Sequence, residues 1–339
     1  MRHSLFALLL LASLSCGLQQ AQVSSSAVVD EHSAHMSAAD LRAPAAMQPI
    51  TSASQGTPGI PASANSAAAR VSASPRHGEW VKVSMGQGMA DSIMAWIVYP
   101  SGTTRAPVVV VVHEIFGLQT WVRGVADQLA ADGFIAIAPD FLSRVRGGPS
   151  SVELTADSAR RLIGGVDVAE RNRVIVAAAN HAMMQPAAEP RYAVIGYCWG
   201  GGTVFNHAVH GGVKGFSAAV SFYGISYITG GRAATDSTPA VRASVNADSM
   251  AKINVPIMLL NGSKDARIAS AMPALDSTMK ALRKDYSGTN YEGAVHGFLR
   301  AQDDPKATRD QAEEAANLAA AKDAWPKTIA FLKKHLGAR

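Results

Sequence analysis

Cys198 stands in the run Ala193-Val194-Ile195-Gly196-Tyr197-Cys198-Trp199-Gly200-Gly201-Gly202, an apolar stretch, a glycine-framed turn with one nucleophile at its tip, and a helix start. The G-x-C-x-G spacing predicts a nucleophile elbow with sulfur as the attacking atom. Such a turn holds its central residue in a strained conformation, and side chains two positions either side would meet the neighbouring strand and helix. A thiol at a helix N-terminus also faces free N–H groups and the positive end of the helix dipole, which favour thiolate. The competing reading is that cysteine often packs as a small apolar residue. A single short motif does not separate the two.

Partners for the thiol follow in the order nucleophile, acid, histidine that this arrangement requires. Val255-Pro256-Ile257-Met258-Leu259-Leu260-Asn261-Gly262 reads as a buried strand running into Ser263-Lys264-Asp265, so Asp265 is the candidate orienting acid. Tyr291-Glu292-Gly293-Ala294-Val295-His296-Gly297-Phe298 offers His296 between small residues as the candidate base. Alone, Asp265 reads equally as a helix cap and His296 as a surface residue; together with Cys198 they make a nucleophile, base and orienting acid. Upstream, Pro107 and the β-branched run Val108–Val112 predict a strand covered on both faces, ending in His113-Glu114-Ile115-Phe116-Gly117-Leu118. The loop after that strand and the residue after the nucleophile supply oxyanion N–H donors in such sites, which by position are Ile115 and Trp199. Glu114 looks counterproductive there, because a carboxylate raises the pKa of a nearby thiol.

These motifs resemble the dienelactone hydrolase (carboxymethylenebutenolidase) family, a cysteine branch of the α/β-hydrolase fold, and the resemblance spans roughly residues 78 to 336. It implies a mostly parallel twisted sheet with helices on both faces. It implies that Glu114 contacts the thiol until substrate displaces it. It implies further that Arg144, in Ala138-Pro139-Asp140-Phe141-Leu142-Ser143-Arg144, and Arg300, four residues after His296, hold a substrate carboxylate. Guanidinium suits that task because its planar fork matches a carboxylate. Expected activities are hydrolysis of a carboxylate-bearing ester or lactone, or of a broader range of esters and thioesters; a non-catalytic binding member of the fold is the third reading. The resemblance implies a monomer, and with no P-loop or dinucleotide fingerprint in the sequence no cofactor is expected. Residues 227–252 are longer than the usual connection at that point and are expected to form a lid or rim.

The elements that must position these groups alternate in α/β fashion. A helix is expected over 120–132, a strand over 134–138, and a helical stretch over 155–184 broken at Gly164-Gly165. A strand is expected over 216–223 and an amphipathic closing helix over 323–336. Residues 1–20 read as a secretory signal: a basic start, an apolar run over Leu5–Leu14 too short to span a bilayer, and a small-residue site at Ser15-Cys16-Gly17. Lipidation of Cys16 and ordinary cleavage after Gly17 are the alternatives, and the expected location is periplasmic or extracellular. Residues 21–75 are Ala-, Ser- and Pro-rich and are expected to form a disordered tether, leaving 76–339 as the hydrolase domain. With Cys16 in the leader, Cys198 has no internal disulfide partner. The net charge of +5 is scattered rather than clustered, which argues against nucleic-acid binding, and His113-Glu114 lacks the second histidine of a zinc H-E-x-x-H.

Overall fold

The computed structural model describes residues 55–86, 90–102, 105–150, 154–231, 241–302 and 310–337. The expected leader, and the tether as far as residue 54, lie outside them, as do residues 232–240 of the longer connection. Eight strands form one sheet: β1 (Gly78–Ser84), β2 (Ser92–Val98), β3 (Ala106–Val112), β4 (Ile135–Pro139), β5 (Ala188–Tyr197), β6 (Phe216–Phe222), β9 (Ile257–Gly262) and β10 (Tyr286–Tyr291), in spatial order β1-β2-β4-β3-β5-β6-β9-β10. From β4 to β10 every pairing is parallel; only β2 runs against its neighbours. All seven residues of β3 are buried, as a strand with helices on both faces demands.

The helices are α1 (Ala67–Ser72), α2 (Thr120–Ala131), α3 (Ser143–Arg146), α4 (Ala156–Gly164), α5 (Val168–Met183), α6 (Trp199–His210), α7 (Ala247–Ala251), α8 (Ala266–Ala281), α9 (Phe298–Ala301) and α10 (Gln311–Leu336), of which α2, α5 and α6 pack against β3. The helical stretch before the elbow strand breaks where expected: α4 ends at Gly164 and Asp167 caps α5 by accepting from the Glu170 amide. The closing helix begins twelve residues before the expected start, at Gln311 rather than residue 323. Asp310 caps it, and Glu313 and Glu314 in its first turn suit the helix dipole, so the alanine-rich stretch 312–321 continues one helix. Within the longer connection, β7 (Ile228–Thr229) and β8 (Ser244–Val245) pair antiparallel, and the Ser270 hydroxyl ties Gly231 to α8.

Residues 55–75 correct the expected tether boundary. Ile60, Ala62, Ala64 and Ala67 are buried, the indole N–H of Trp121 donates to the Ala62 carbonyl (3.0 Å), and the Arg70 guanidinium bonds the Gln55, Thr57 and Ile60 carbonyls. Small side chains bury little area each, but they let chains approach closely: a Cβ built on Gly124 of α2 would lie 3.6 Å from the Ala67 Cβ. Hydrogen bonds supply the rest, so this composition packs as a strap instead of remaining solvated.

Candidate active site

Sheet register sets the geometry. Val112 of β3 pairs with Gly196 of β5, so the turn that follows β3 sits level with Cys198. Cys198 adopts φ 58° and ψ −118°, outside the range comfortable for a side chain, and is buried between β5 and α6. Two glycines make that turn possible: a Cβ on Gly196 would lie 2.2 Å from the Gly200 carbonyl oxygen, and one on Gly200 would lie 2.4 Å from that of Val112. The Cys198 amide donates to the Phe222 carbonyl (3.0 Å), tying the elbow to β6.

Asp265 follows β9 and His296 lies in the loop after β10. By strand spacing β10 is about 14 Å from β5, so the 292–297 loop must return across the sheet top, and it does. His296 Nδ1 bonds Asp265 Oδ2 at 2.7 Å, and the His296 imidazole hydrogen-bonds the Cys198 thiol. The helix-cap reading of Asp265 also holds, because its other oxygen accepts the Ile268 amide (3.3 Å) while Oδ2 faces the imidazole. One carboxylate thus starts α8 and orients a ring.

Electrostatics oppose a resting thiolate. Burial pushes the Cys198 thiol above its ordinary value; His296 pulls it back, the Glu114 carboxylate adds to the rise, and a hydrogen bond from the Trp199 amide lowers it. Burial alone would lower the His296 pKa; Cys198, once its sulfur is charged, and the Asp265 carboxylate raise it well above the usual value, so the imidazolium is stabilised when the proton leaves the thiol. Glu114 is buried and its Oε2 pairs with Arg300 Nε at 2.9 Å, both side chains being at most 10% exposed. Cys198, His296, Asp265, Glu114 and Arg300 therefore form one connected cluster.

Arg144 does not join it. Its guanidinium pairs with Glu170 and with Asp91 (3.3 Å), its side chain is 40% exposed, and Arg173 bridges the same two carboxylates, making a surface ion-pair network. Two carboxylates from elsewhere in the chain hold Arg144 where the motif led to an expected substrate contact. Conversely, Tyr197, at a variable position of the elbow, and Tyr223 have no part in the expected site, yet both are fully buried, both feel the Glu114 charge, and among the described residues neither hydroxyl has a hydrogen-bond partner. Tyr223, at φ 41°, places its ring 5.1 Å from His296. The sequence signal for it was weak: an aromatic at the carboxyl end of a central strand. Arg171 lies 4.6 Å over the Trp199 indole and bonds the Val166 carbonyl.

The profile of the dienelactone hydrolase family matches residues 93–336. The chain belongs to the dienelactone hydrolase family. A Bradyrhizobium protein described as "Probable 2-oxo-3-(5-oxofuran-2-ylidene)propanoate lactonase" is 28% identical over 263 residues, covering 76% of this chain and 94% of that one. Solved structures share the fold, among them these two. Dienelactone hydrolase from Anabaena variabilis has a TM-score of 0.51 at 17% identity, covering 74% of this chain and 96% of its own. A dienelactone hydrolase-like promiscuous phosphotriesterase from metagenomic libraries has a TM-score of 0.55 at 22% identity, covering 74% and 98%. As a family member with an α/β-hydrolase fold, the protein is a hydrolase acting on carboxylic esters or lactones.

Proposed function

We propose that this hydrolase opens a carboxylate-bearing ester or lactone through Cys198, His296 and Asp265 by way of a thioester. The single observation that carries the reading is the Glu114–Arg300 pair beside a hydrogen-bonded Cys-His-Asp chain. Arg300 is the buried cation best placed to receive an anionic group, and at rest an internal carboxylate holds it. A substrate carboxylate competes for that guanidinium, and Glu114 swings away from Arg300. Removing its charge from Cys198 lets the thiol proton pass to His296.

The sulfur then attacks the ester carbonyl, and the Ile115 and Trp199 amides hold the oxyanion. As the intermediate collapses the C–O bond breaks and the imidazolium gives its proton to the leaving oxygen. His296 next takes a proton from water, hydroxide attacks the thioester, and acid and thiol are released. Asp265 holds the ring in the Nδ1–H tautomer throughout. Export by the leader over residues 1–20 belongs to the same reading, and fractionation of cells making the full chain tests it.

Arg144's commitment to Asp91 and Glu170 favours a second reading, a broader carboxylesterase, because of the two expected arginines Arg300 alone is then left to select for anionic substrates. A panel of lactones and aryl esters with and without a free carboxylate tests both. On the first reading Arg300→Ala raises KM for carboxylate substrates by about 10-fold or more and leaves KM for neutral esters alone, while Arg144→Ala changes neither. Equal rates on both substrate types in all variants would establish the broader activity. Cys198→Ala must abolish hydrolysis in a protein that still folds, and retained turnover would sink both readings.

A further inference from the structure

We propose that His113 is a positioning residue for the oxyanion site, its one imidazole fixing the Glu114–Ile115 peptide and bracing the Trp199 indole beside Cys198. The inference rests on the oxyanion role given above to the Ile115 and Trp199 amides. His113 is fully buried at the end of β3, and its Nε2 lies 3.1 Å from the Phe141 amide, which can only donate. Nε2 must therefore accept, and the ring proton sits on Nδ1. Nδ1–H donates to the Glu114 carbonyl at 2.5 Å. That carbonyl oxygen and the Ile115 N–H belong to one trans peptide unit, in which the two point in opposite directions. Holding the oxygen on the imidazole thus turns the Ile115 N–H to the other side, away from His113.

The same ring meets the second donor. His113 stacks on the Trp199 indole with centroids 5.9 Å apart and planes 17° from parallel, and Phe141 stands edge-on to both rings. A backbone contact reinforces the link, since a Cβ on Gly200 would lie 2.6 Å from the His113 carbonyl oxygen. The two donors come from segments after different strands, β3 and β5, and the His113 ring touches both segments, at the Glu114 carbonyl and the Trp199 indole. Burial keeps the imidazole neutral against the pull of Asp140, whose Oδ1 lies 3.8 Å from Nε2, and neutrality is what lets Nε2 accept from Phe141.

The test separates placement of the amides from general integrity of the site. Ester hydrolysis develops charge on oxygen and needs both amides, whereas alkylation of Cys198 by iodoacetamide displaces iodide from a saturated carbon and feels them only through the Trp199 amide's hydrogen bond to sulfur. In His113→Leu, kcat on an aryl ester should fall about 100-fold, with KM and the alkylation rate within about threefold of wild type. His113→Asn, which offers a side-chain N–H near the Nδ1 position, should recover at least about 10-fold of that loss. Wild-type kcat in His113→Leu would overturn the proposal. So would hydrolysis and alkylation falling together, or Asn faring no better than Leu. Should the leucine variant fail to fold, the asparagine variant decides alone: alkylation unchanged with kcat reduced between about twofold and 10-fold supports the role, and wild-type kcat or parallel loss of both refutes it. Hydrolysis retained by Cys198→Ala with His113 intact is a different failure, that of the underlying nucleophile assignment.

Discussion

Glu114 is the residue whose placement constrains the chemistry most, because it does two incompatible things at rest. Its carboxylate satisfies the buried Arg300 guanidinium, and its charge adds to the burial that keeps Cys198 protonated. A buried arginine left without that partner would be costly, and a thiolate exposed to oxidants between turnovers would be vulnerable. Replacing Glu114 by Gln removes one cause of the raised thiol pKa and leaves Arg300 nearby as an uncompensated cation, and both changes favour thiolate. Glu114→Gln should therefore alkylate several-fold faster at neutral pH, and its alkylation–pH curve should move toward acid. A curve unchanged or moved toward base would show that Glu114 does not restrain the thiol. The same variant should lose some stability, on the order of 1–3 kcal/mol, because a buried charge loses its partner.

Among the elements, the strap over residues 55–75 reaches the site without touching substrate. The Ala64 amide donates to the Arg300 carbonyl (2.9 Å) and the Gln302 side chain donates to the Pro61 carbonyl (2.7 Å), so the strap backs the short helix α9 that carries Arg300. Beginning the chain at residue 76 strips acceptors from the Trp121 indole and the Gln302 amide and exposes the apolar face under Ile60. Three lost hydrogen bonds, those of Trp121, Gln302 and the Ala64 amide, and one uncovered aliphatic side chain amount to roughly 5 kcal/mol, which lowers the thermal midpoint by at least about 10 °C in a domain this size. Equal midpoints for chains starting at residues 55 and 76 would refute the contribution. Local patterning made much of this architecture readable in the sequence. The valine run of β3, the glycine frame of Cys198 and the apolar strand running into Asp265 each satisfy a demand set within ten residues. Arg144 and the strap were not legible because their partners are distant in sequence: Glu170 lies 26 residues beyond Arg144, and Gln302 241 residues beyond Pro61. No spacing rule carries that information.

Across the molecule as a whole, two buried imidazoles, His113 and His207, stay uncharged. His207 of α6 donates from Nδ1 to Asn172 of α5 (2.7 Å) and accepts at Nε2 from the Tyr192 hydroxyl of β5 (3.0 Å), while that hydroxyl accepts from the Val213 amide (3.0 Å). A protonated ring would lose its bond from Tyr192. Burial, with His210 nearby, pulls the His207 pKa down to about 3, and burial lowers His113 in the same direction. The unfolded chain takes up a proton on each ring near pH 6.5, and the folded chain refuses it at His207 until about 3. The stability that the neutral ring contributes is thus whole above 6.5 and drains away as the pH falls toward 3, by on the order of 1 kcal/mol per pH unit. His207→Gln cannot take up this proton in either state. It should be less stable than wild type at pH 7, where its lost hydrogen bonds dominate, and the gap should narrow steadily as urea midpoints are measured at pH 6, 5 and 4. Carboxylate titration is common to both proteins and cancels in the difference, so parallel midpoint curves would mean that the proton is taken up elsewhere and that the buried imidazole of His207 has no part in the acid sensitivity.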